Sequence, residues 1–329
     1  MSNEVLLKAQ KAKLDEFYTY LEDFEKELKY YQEAFKDKIV LCNCNDVDYG
    51  SFFQYFESNF NKLGLKKLIA TNYETIGSSY KVEIYRKLNG DIDKRRIGLK
   101  ENGDFRTPEC IEVLKEADIV CTNPPFSLFR EYVSLLVKND KKFIILGNVN
   151  AITYKEIFPL IKENKVWLGV SIHSGDREFE IPKKYISMLK KCRTDEEGRA
   201  FTRIKGVRWF TNLDHKKQHE ELILYKYYTP EEYQKYDNYD AINVDKVAEI
   251  PCDYDGIMGV PITFIDKYNT EQFEILGITD RQNTSGLRIK KYTAQDDKRF
   301  NDLNARGTIK TCSMYKSTYA RILIRRRFL

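Results

Sequence analysis

Long apolar runs are missing from this chain of 329 residues. No stretch approaches the roughly 18 apolar residues that a membrane-spanning helix needs, which excludes a helical membrane protein. Histidine is scarce, at three residues, and tryptophan scarcer, at two. His215 and His219 stand four apart, as on one helical face, but the glutamate of an H-E-x-x-H zinc site is missing. A solvated surface is the plainer reading of that pair. The seven cysteines (Cys42, Cys44, Cys110, Cys121, Cys192, Cys252 and Cys312) are scattered and odd in number. With no secretory segment, they point to reduced thiols and a cytoplasmic protein. Cys42 and Cys44 alternate on an expected strand without the two further ligands that zinc would need, so no metal is expected. A P-D-x(n)-E-x-K carboxylate cluster is also missing, which argues against a metal-dependent restriction nuclease. There is no internal repeat and no long low-complexity run.

What is present is a globular composition. Hydrophobic residues make up 42% and charged residues 32%, enough for a substantial core under a well-solvated surface. The length suits one large domain or two moderate ones. A net charge of +5 and a pI near 8.6 are a mild basic bias, compatible with nucleic acid without requiring it. The 23 tyrosines can stack and hydrogen-bond as well as pack.

Helical and extended segments alternate through the first half. A mainly helical stretch from about Asn3 to Phe35 leads to a strand at Lys38–Cys42. Phe52, Phe53, Phe56 and Phe60 then recur at helical spacing and read as a core stripe. Lys66–Ala70 reads as a second strand, and Tyr80–Leu99 as a polar hairpin turning at Asn89-Gly90. A helix from Pro108, a strand at Asp118–Thr122, a helix from Ser127 and a strand at Lys141–Asn148 follow. Tyr154–Glu163 reads as helix and Lys165–Val170 as strand. This alternation predicts an α/β fold with a Rossmann-like, mostly parallel, doubly wound sheet. Beyond Ser171 short β-like runs dominate, including Val207–Phe210 and Glu221–Tyr225. A change in composition near Thr229-Pro230 divides residues 1–228 from residues 229–329.

The strand at Asp118–Thr122 runs into Asn123-Pro124-Pro125-Phe126, ahead of an amphipathic helix. Two consecutive prolines fix two φ angles and remove two backbone donors. Carbonyls held rigidly beside a flat aromatic suit a planar ring with an exocyclic NH2, such as adenine. A plain stiffened turn would use the same four residues. The context favours chemistry, because ligands of doubly wound sheets bind past the carboxyl ends of strands.

The tetrapeptide resembles the (D/N/S)-PP-(Y/F/W) motif of DNA amino-methyltransferases. The chain as a whole resembles the EcoRI-type adenine-specific DNA methyltransferases. Asp15–Thr19 resembles that family's N-terminal cofactor-side motif, and Gly103-Asp104-Phe105 its adenosine-binding motif. Asn123–Tyr132 is similar to its catalytic loop and following helix, and Ile152–Leu160 and Arg208–Leu213 to later segments. The likeness thins toward the C-terminus. The Gly-rich F-x-G-x-G loop of the wider superfamily is replaced by Cys42-Asn43-Cys44-Asn45-Asp46-Val47-Asp48, as in EcoRI-type proteins. Asn and Asp tolerate the left-handed geometry that glycine would otherwise supply.

The resemblance implies a class I methyltransferase fold with a C-terminal target-recognition region at 229–329. It implies S-adenosyl-L-methionine as methyl donor and a flipped-out adenine N6 in double-stranded DNA as acceptor. Catalysis would fall to Asn123, Pro124, Pro125 and Phe126. Phe17, Tyr18, Thr19, Asn43, Asp104, Phe105 and Asn123 would line the cofactor. Phe126 would stack on the flipped base, with Trp209 and Phe210 on its other face. For Phe210 a core aromatic is the alternative, and for Asp104 a helix cap in the loop before Pro108. Arg288, Arg325 and Arg326 would meet DNA, although the run Arg321–Arg327 reads equally well as a terminal strand. A basic loop at Ser171–Lys205 is a second candidate for DNA contact. No obligatory protein partner is evident, and a chain with its own recognition region can act as a monomer. The same motif would also serve RNA adenine or protein glutamine, or persist in a silent DNA-binding relative.

Overall fold

The computed structural model describes residues 21–44, 50–74, 78–173, 176–181, 192–281, 284–312 and 314–327. They divide into two compact units. One runs to Val149 and resumes at Leu168–Asp214; the other takes Asn150–Trp167 and the chain from His215 on. The change of unit at Asp214 lies upstream of the compositional boundary at Tyr228. The second unit also includes Asn150–Trp167, which composition alone grouped with the first.

The first unit is built on an eight-stranded sheet. In chain order its elements are α1 (Leu21–Leu28), β1 (Ile39–Cys42), α2 (Ser51–Ser58), β2 (Lys67–Thr71), β3 (Tyr80–Arg86), β4 (Ile92–Gly98), α3 (Pro108–Glu116), β5 (Ile119–Thr122), α4 (Phe129–Lys138) and β6 (Lys142–Asn148). After α5 (Phe158–Lys162) of the second unit come β7 (Trp167–Leu168), β8 (Asp176–Ile181), β9 (Arg193–Thr194), β10 (Ala200–Lys205) and β11 (Val207–Thr211). The strand order is β4-β3-β2-β1-β5-β6-β11-β7. β2, β1, β5 and β6 are mutually parallel, and β3, β4 and β11 are antiparallel additions at the flanks. Parallel strands need covering on both faces, and their uninterrupted apolar runs follow from that. Val40, Cys42, Ile144, Leu146 and Trp209 face Phe24 of α1 and Phe52 and Phe56 of α2. On the other face lie Leu41, Val120 and Ile145, with α3 and α4 supplying Val113, Leu114, Val133 and Leu136. The Phe52–Phe60 stripe is core, as its spacing predicts.

The β3–β4 hairpin turns where Asn89-Gly90 predicts, with Gly90 at φ +90° and Lys87 N–H donating to the Asp91 carbonyl at 2.7 Å. Other predicted elements shorten. Regular helix is confined to Phe158–Lys162 because Pro159 has no N–H and occupies its first turn. Only Trp167–Leu168 of the expected strand at 165–170 pairs in the sheet. One reason is Glu27, fully buried on α1. It draws the next residues away, its carboxylate accepting from Val170 N–H at 2.8 Å, Ser171 N–H at 2.7 Å and the Tyr31 hydroxyl at 2.7 Å. A buried carboxylate persists only with such a full set of donors.

The second unit carries a four-stranded sheet of order β12-β13-β15-β14, formed by Ile242–Asn243, Met258–Pro261, Arg321–Arg326 and Phe273–Ile278 respectively. The Arg321–Arg327 run is thus a strand in the sheet interior, with Ile322, Leu323 and Ile324 all buried. Glu221–Tyr225 forms no strand. The Gln272 side chain intercepts it, accepting from Leu222 N–H at 2.9 Å and donating to its carbonyl at 2.7 Å. His215 is buried while His219 is exposed, so the pair is not one solvated surface. No helix among the described residues is long and apolar enough to cross a membrane.

Candidate active site

Each of the four parallel strands ends in a buried asparagine: Asn43 after β1, Asn72 after β2, Asn123 after β5 and Asn148 closing β6. The carboxyl edge of an open α/β sheet is where ligands bind. Short polar side chains there satisfy the chain as it leaves the sheet, and their amides present donors and acceptors to a ligand.

The asparagines do different work. Asn72 accepts from Tyr80 N–H at 2.6 Å and starts β3. Asn148 donates to the Lys205 carbonyl at 2.8 Å. Asn43 lies between β1 and β5: its carbonyl accepts from the Thr122 hydroxyl, and its side-chain oxygen from the Tyr132 hydroxyl. With Oδ1 so occupied, the Asn43 amide nitrogen is, among the described residues, the half left to donate to a ligand.

Tyr132 is fully buried on α4, two turns past the Asn-Pro-Pro-Phe segment. Burial raises its pKa well above the ordinary phenol value and keeps it protonated, so it remains a donor to Asn43. Its ring meets Phe105 edge-to-face at a centroid distance of 4.9 Å. Tyr132 therefore ties the exit of β1, the Gly103-Asp104-Phe105 loop and α4 together. Nothing in its sequence position distinguishes it from a helix core residue. Tyr132→Phe keeps the ring and removes the hydroxyl, leaving Asn43 Oδ1 without its donor. Loss of one such buried hydrogen bond costs about 1–3 kcal/mol. The expected result is roughly a tenfold or greater loss of cofactor affinity by calorimetry, with the fold intact by near-UV circular dichroism. Unchanged affinity would show that Tyr132 only packs.

Gly103 makes the adjacent loop possible. It sits at φ +76°, and a Cβ there would collide with the Asn72 carbonyl oxygen. Asp104 follows, its carboxylate bound in fork geometry by Arg106, with Nε to Oδ1 at 2.9 Å and Nη2 to Oδ2 at 2.6 Å. Arg106 holds the Asp104 pKa below the ordinary carboxylate value, and burial opposes this only in part. Asp104 is thus an ionised acceptor at neutral pH, and its Oδ2 has room for a further donor. Arg106 also lies 3.6 Å from Glu131 of α4, a second link between this loop and that helix. The cap of α3 is Thr107, whose Oγ1 accepts from Cys110 N–H, so Asp104 is not the helix cap.

Asn123 and Pro124 are buried at the end of β5, and Pro125 is half-buried. Pro125 adopts φ −53° and its carbonyl accepts from Leu128 N–H at 2.9 Å, which closes a short 3-10 turn, Phe126–Leu128, ahead of α4. Phe126 is itself buried, in the cluster that holds Phe24 and Phe52.

Several expected contacts lie elsewhere. Phe210 takes the core alternative: it is fully buried and meets Phe129 at 5.0 Å. Trp209 points to the opposite sheet face, 5.9 Å from Phe24 and 6.1 Å from Phe52. Neither ring offers a face to a base, because alternation on the fully buried β11 sends both into core. Arg326 donates to the Cys252 carbonyl, and Arg325 pairs with Glu274 at 2.9 Å. Arg288 donates to the Asp280 carbonyl at 2.5 Å and to the Tyr239 hydroxyl at 3.1 Å. Phe17, Tyr18 and Thr19 lie outside the described residues, as do Asn45–Asp48.

Residues 5–327 match the family model described as adenine-specific methyltransferase EcoRI. The chain is 49% identical over 291 residues to the Type II methyltransferase M.EcoRI of Escherichia coli, covering 84% of this chain and 89% of that one. It is 42% identical over 277 residues to the Type II methyltransferase M.MpnI of Mycoplasma pneumoniae, covering 82% and 84%. No solved structure matches. The strand-end asparagines, the Gly103 loop and Asn123-Pro124-Pro125-Phe126 thus stand within a match of nearly full length, and the chain belongs to the EcoRI-type family of adenine-specific methyltransferases.

Proposed function

We propose that this protein is a site-specific DNA adenine-N6 methyltransferase that uses S-adenosyl-L-methionine. The observation that carries the proposal is the buried Asn123 and Pro124 at the carboxyl end of a central parallel strand, bordered by the Asn43–Tyr132–Phe105 cluster.

The residues present fit the cofactor. Asn43 offers a donor amide, Asp104 an ionised acceptor suited to an adenine amino group, and Phe105 an aromatic wall. Gly103 keeps the loop close to the sheet. S-adenosylmethionine supplies an electrophilic methyl group on a sulfonium sulfur. The chain's part is alignment and electrostatics. An adenine amino nitrogen is a weak nucleophile because its lone pair delocalises into the ring. Asn123 Oδ1 and the Pro124 carbonyl accept the two amino hydrogens and favour a pyramidal nitrogen. They also stabilise the positive charge that develops there. Water removes the surplus proton afterwards.

The target base leaves the duplex to reach these acceptors. Phe126 is the proposed stacking partner; its ring is buried, so stacking requires that it be exposed as the base enters. Stacking of this kind is worth roughly 1–3 kcal/mol per base, comparable with the cost of unstacking. The second unit, with residues 229–329, is the proposed target-recognition region.

Asp104→Ala is expected to weaken cofactor binding by about tenfold, as loss of a charged hydrogen bond implies. Calorimetric titration checks it, and an unchanged dissociation constant rejects the role. The function is tested by transfer of labelled methyl groups to plasmid DNA, with RNA and protein as parallel acceptors. Single-molecule sequencing of the DNA is expected to find N6-methyladenine at one motif. Label in RNA or protein alone would reject the DNA reading.

A further inference from the structure

The second unit has a basic cleft of about 360 Å3, lined by Arg281, Arg288, Lys290 and Lys291 with Thr284, Gly286 and Ile289. No carboxylate is among these lining residues. The cations are held differently. Lys290 is neutralised by Asp237 at 2.6 Å. The Arg288 guanidinium is braced by the Asp280 carbonyl and Tyr239. Arg281 spends one donor on the Asn301 carbonyl at 2.9 Å, and among the described residues neither it nor the exposed Lys291 has a carboxylate partner. Lys162 of α5 adds a further ammonium, 3.2 Å from Ser285 on the same loop.

We infer that this cleft binds the sugar–phosphate backbone of duplex DNA, with Arg281 and Lys291 as the principal phosphate contacts. The inference rests on the DNA reading above. Desolvating several cations together is unfavourable unless anions replace the water, and a polyanion supplies them at fixed spacing. Backbone contact is favoured over base reading because Nη2 of Arg288, which a bidentate base contact would need, is already committed to the Asp280 carbonyl and the Tyr239 hydroxyl. A lysine ammonium is a point charge that distinguishes no base edge. The contact would set orientation on the duplex and leave sequence choice to other residues.

The test is equilibrium binding of the full chain to a duplex carrying its methylation motif and to a scrambled duplex, from about 50 to about 200 mM salt. Each lost phosphate contact lowers the slope of log affinity against log salt by about 0.9. The double variant Arg281→Ala with Lys291→Ala is expected to lower the slope by about two and to weaken both duplexes equally. Arg281→Lys with Lys291→Arg keeps both charges and is expected to keep the wild-type slope. An unchanged slope in the double alanine variant, or a loss confined to the motif duplex, overturns the cleft assignment. If wild type methylates DNA while the slope is unchanged, only the cleft falls. If wild type neither binds nor methylates duplex DNA, the DNA reading falls with it.

Discussion

Asn123→Ala is expected to lower methyl transfer by about 10²–10³-fold while cofactor affinity stays at the wild-type level. That magnitude is what loss of one preorganised polar group in a water-excluded site typically costs. Asn123 is buried at the end of β5, where the two prolines after it leave the chain little freedom. An alanine there changes little of the backbone and removes the side-chain acceptor. The transition state loses a partner for its developing charge, and the ground state of the cofactor complex does not. The loss should therefore appear in kcat and not in the dissociation constant. Asn123→Asp retains acceptor oxygens and is expected to keep activity that the alanine variant lacks. Near-normal turnover in Asn123→Ala would remove the residue from the mechanism. Equal losses in both variants would point to a structural role for the amide nitrogen.

Gly103→Ala has the second largest expected effect. Two separate penalties meet at this position. The φ of +76° costs a non-glycine residue about 1–3 kcal/mol. The added methyl would also collide with the Asn72 carbonyl oxygen, and Asn72 is fixed by its bonds with Tyr80. The loop must then shift, taking Asp104 and Phe105 with it. Cofactor affinity is expected to fall at least tenfold, together with a lower melting temperature. Gly90 is the control, because it has φ +90° and nothing within 4 Å of an added Cβ. Gly90→Ala carries the conformational penalty alone, of roughly 1–2 kcal/mol. It is expected to lower the melting temperature slightly and leave cofactor binding unchanged. If Gly103→Ala binds cofactor like wild type, the loop is not part of the cofactor site.

Much of the geometry around the candidate site was legible because its signals are local. Asn-Pro-Pro-Phe, Gly-Asp-Phe and Asn-Gly restrict backbone geometry within four residues, so their meaning survives without a fold. The phenylalanine stripe and the apolar strands are periodic, and periodicity also needs no long-range information. One signal was present and unread: Asn43, Asn72, Asn123 and Asn148 each follow or close an apolar run. The repetition marks the ends of four strands along one sheet edge.

By itself, then, the sequence determined the alternation of elements, the parallel sheet, the family and the rigid Asn-Pro-Pro-Phe turn. Tertiary structure alone decided which polar and aromatic side chains are spent inside the protein. Trp209 and Phe210 went to opposite cores because both faces of β11 are covered. Arg326 went to a backbone carbonyl 74 residues away, and Glu27 to amides 143 and 144 residues away. Tyr132 reached Asn43 across 89 residues. Such pairings depend on which strands lie side by side and on which face each side chain emerges. Those are properties of the assembled sheet and leave no trace in the spacing of residues along the chain.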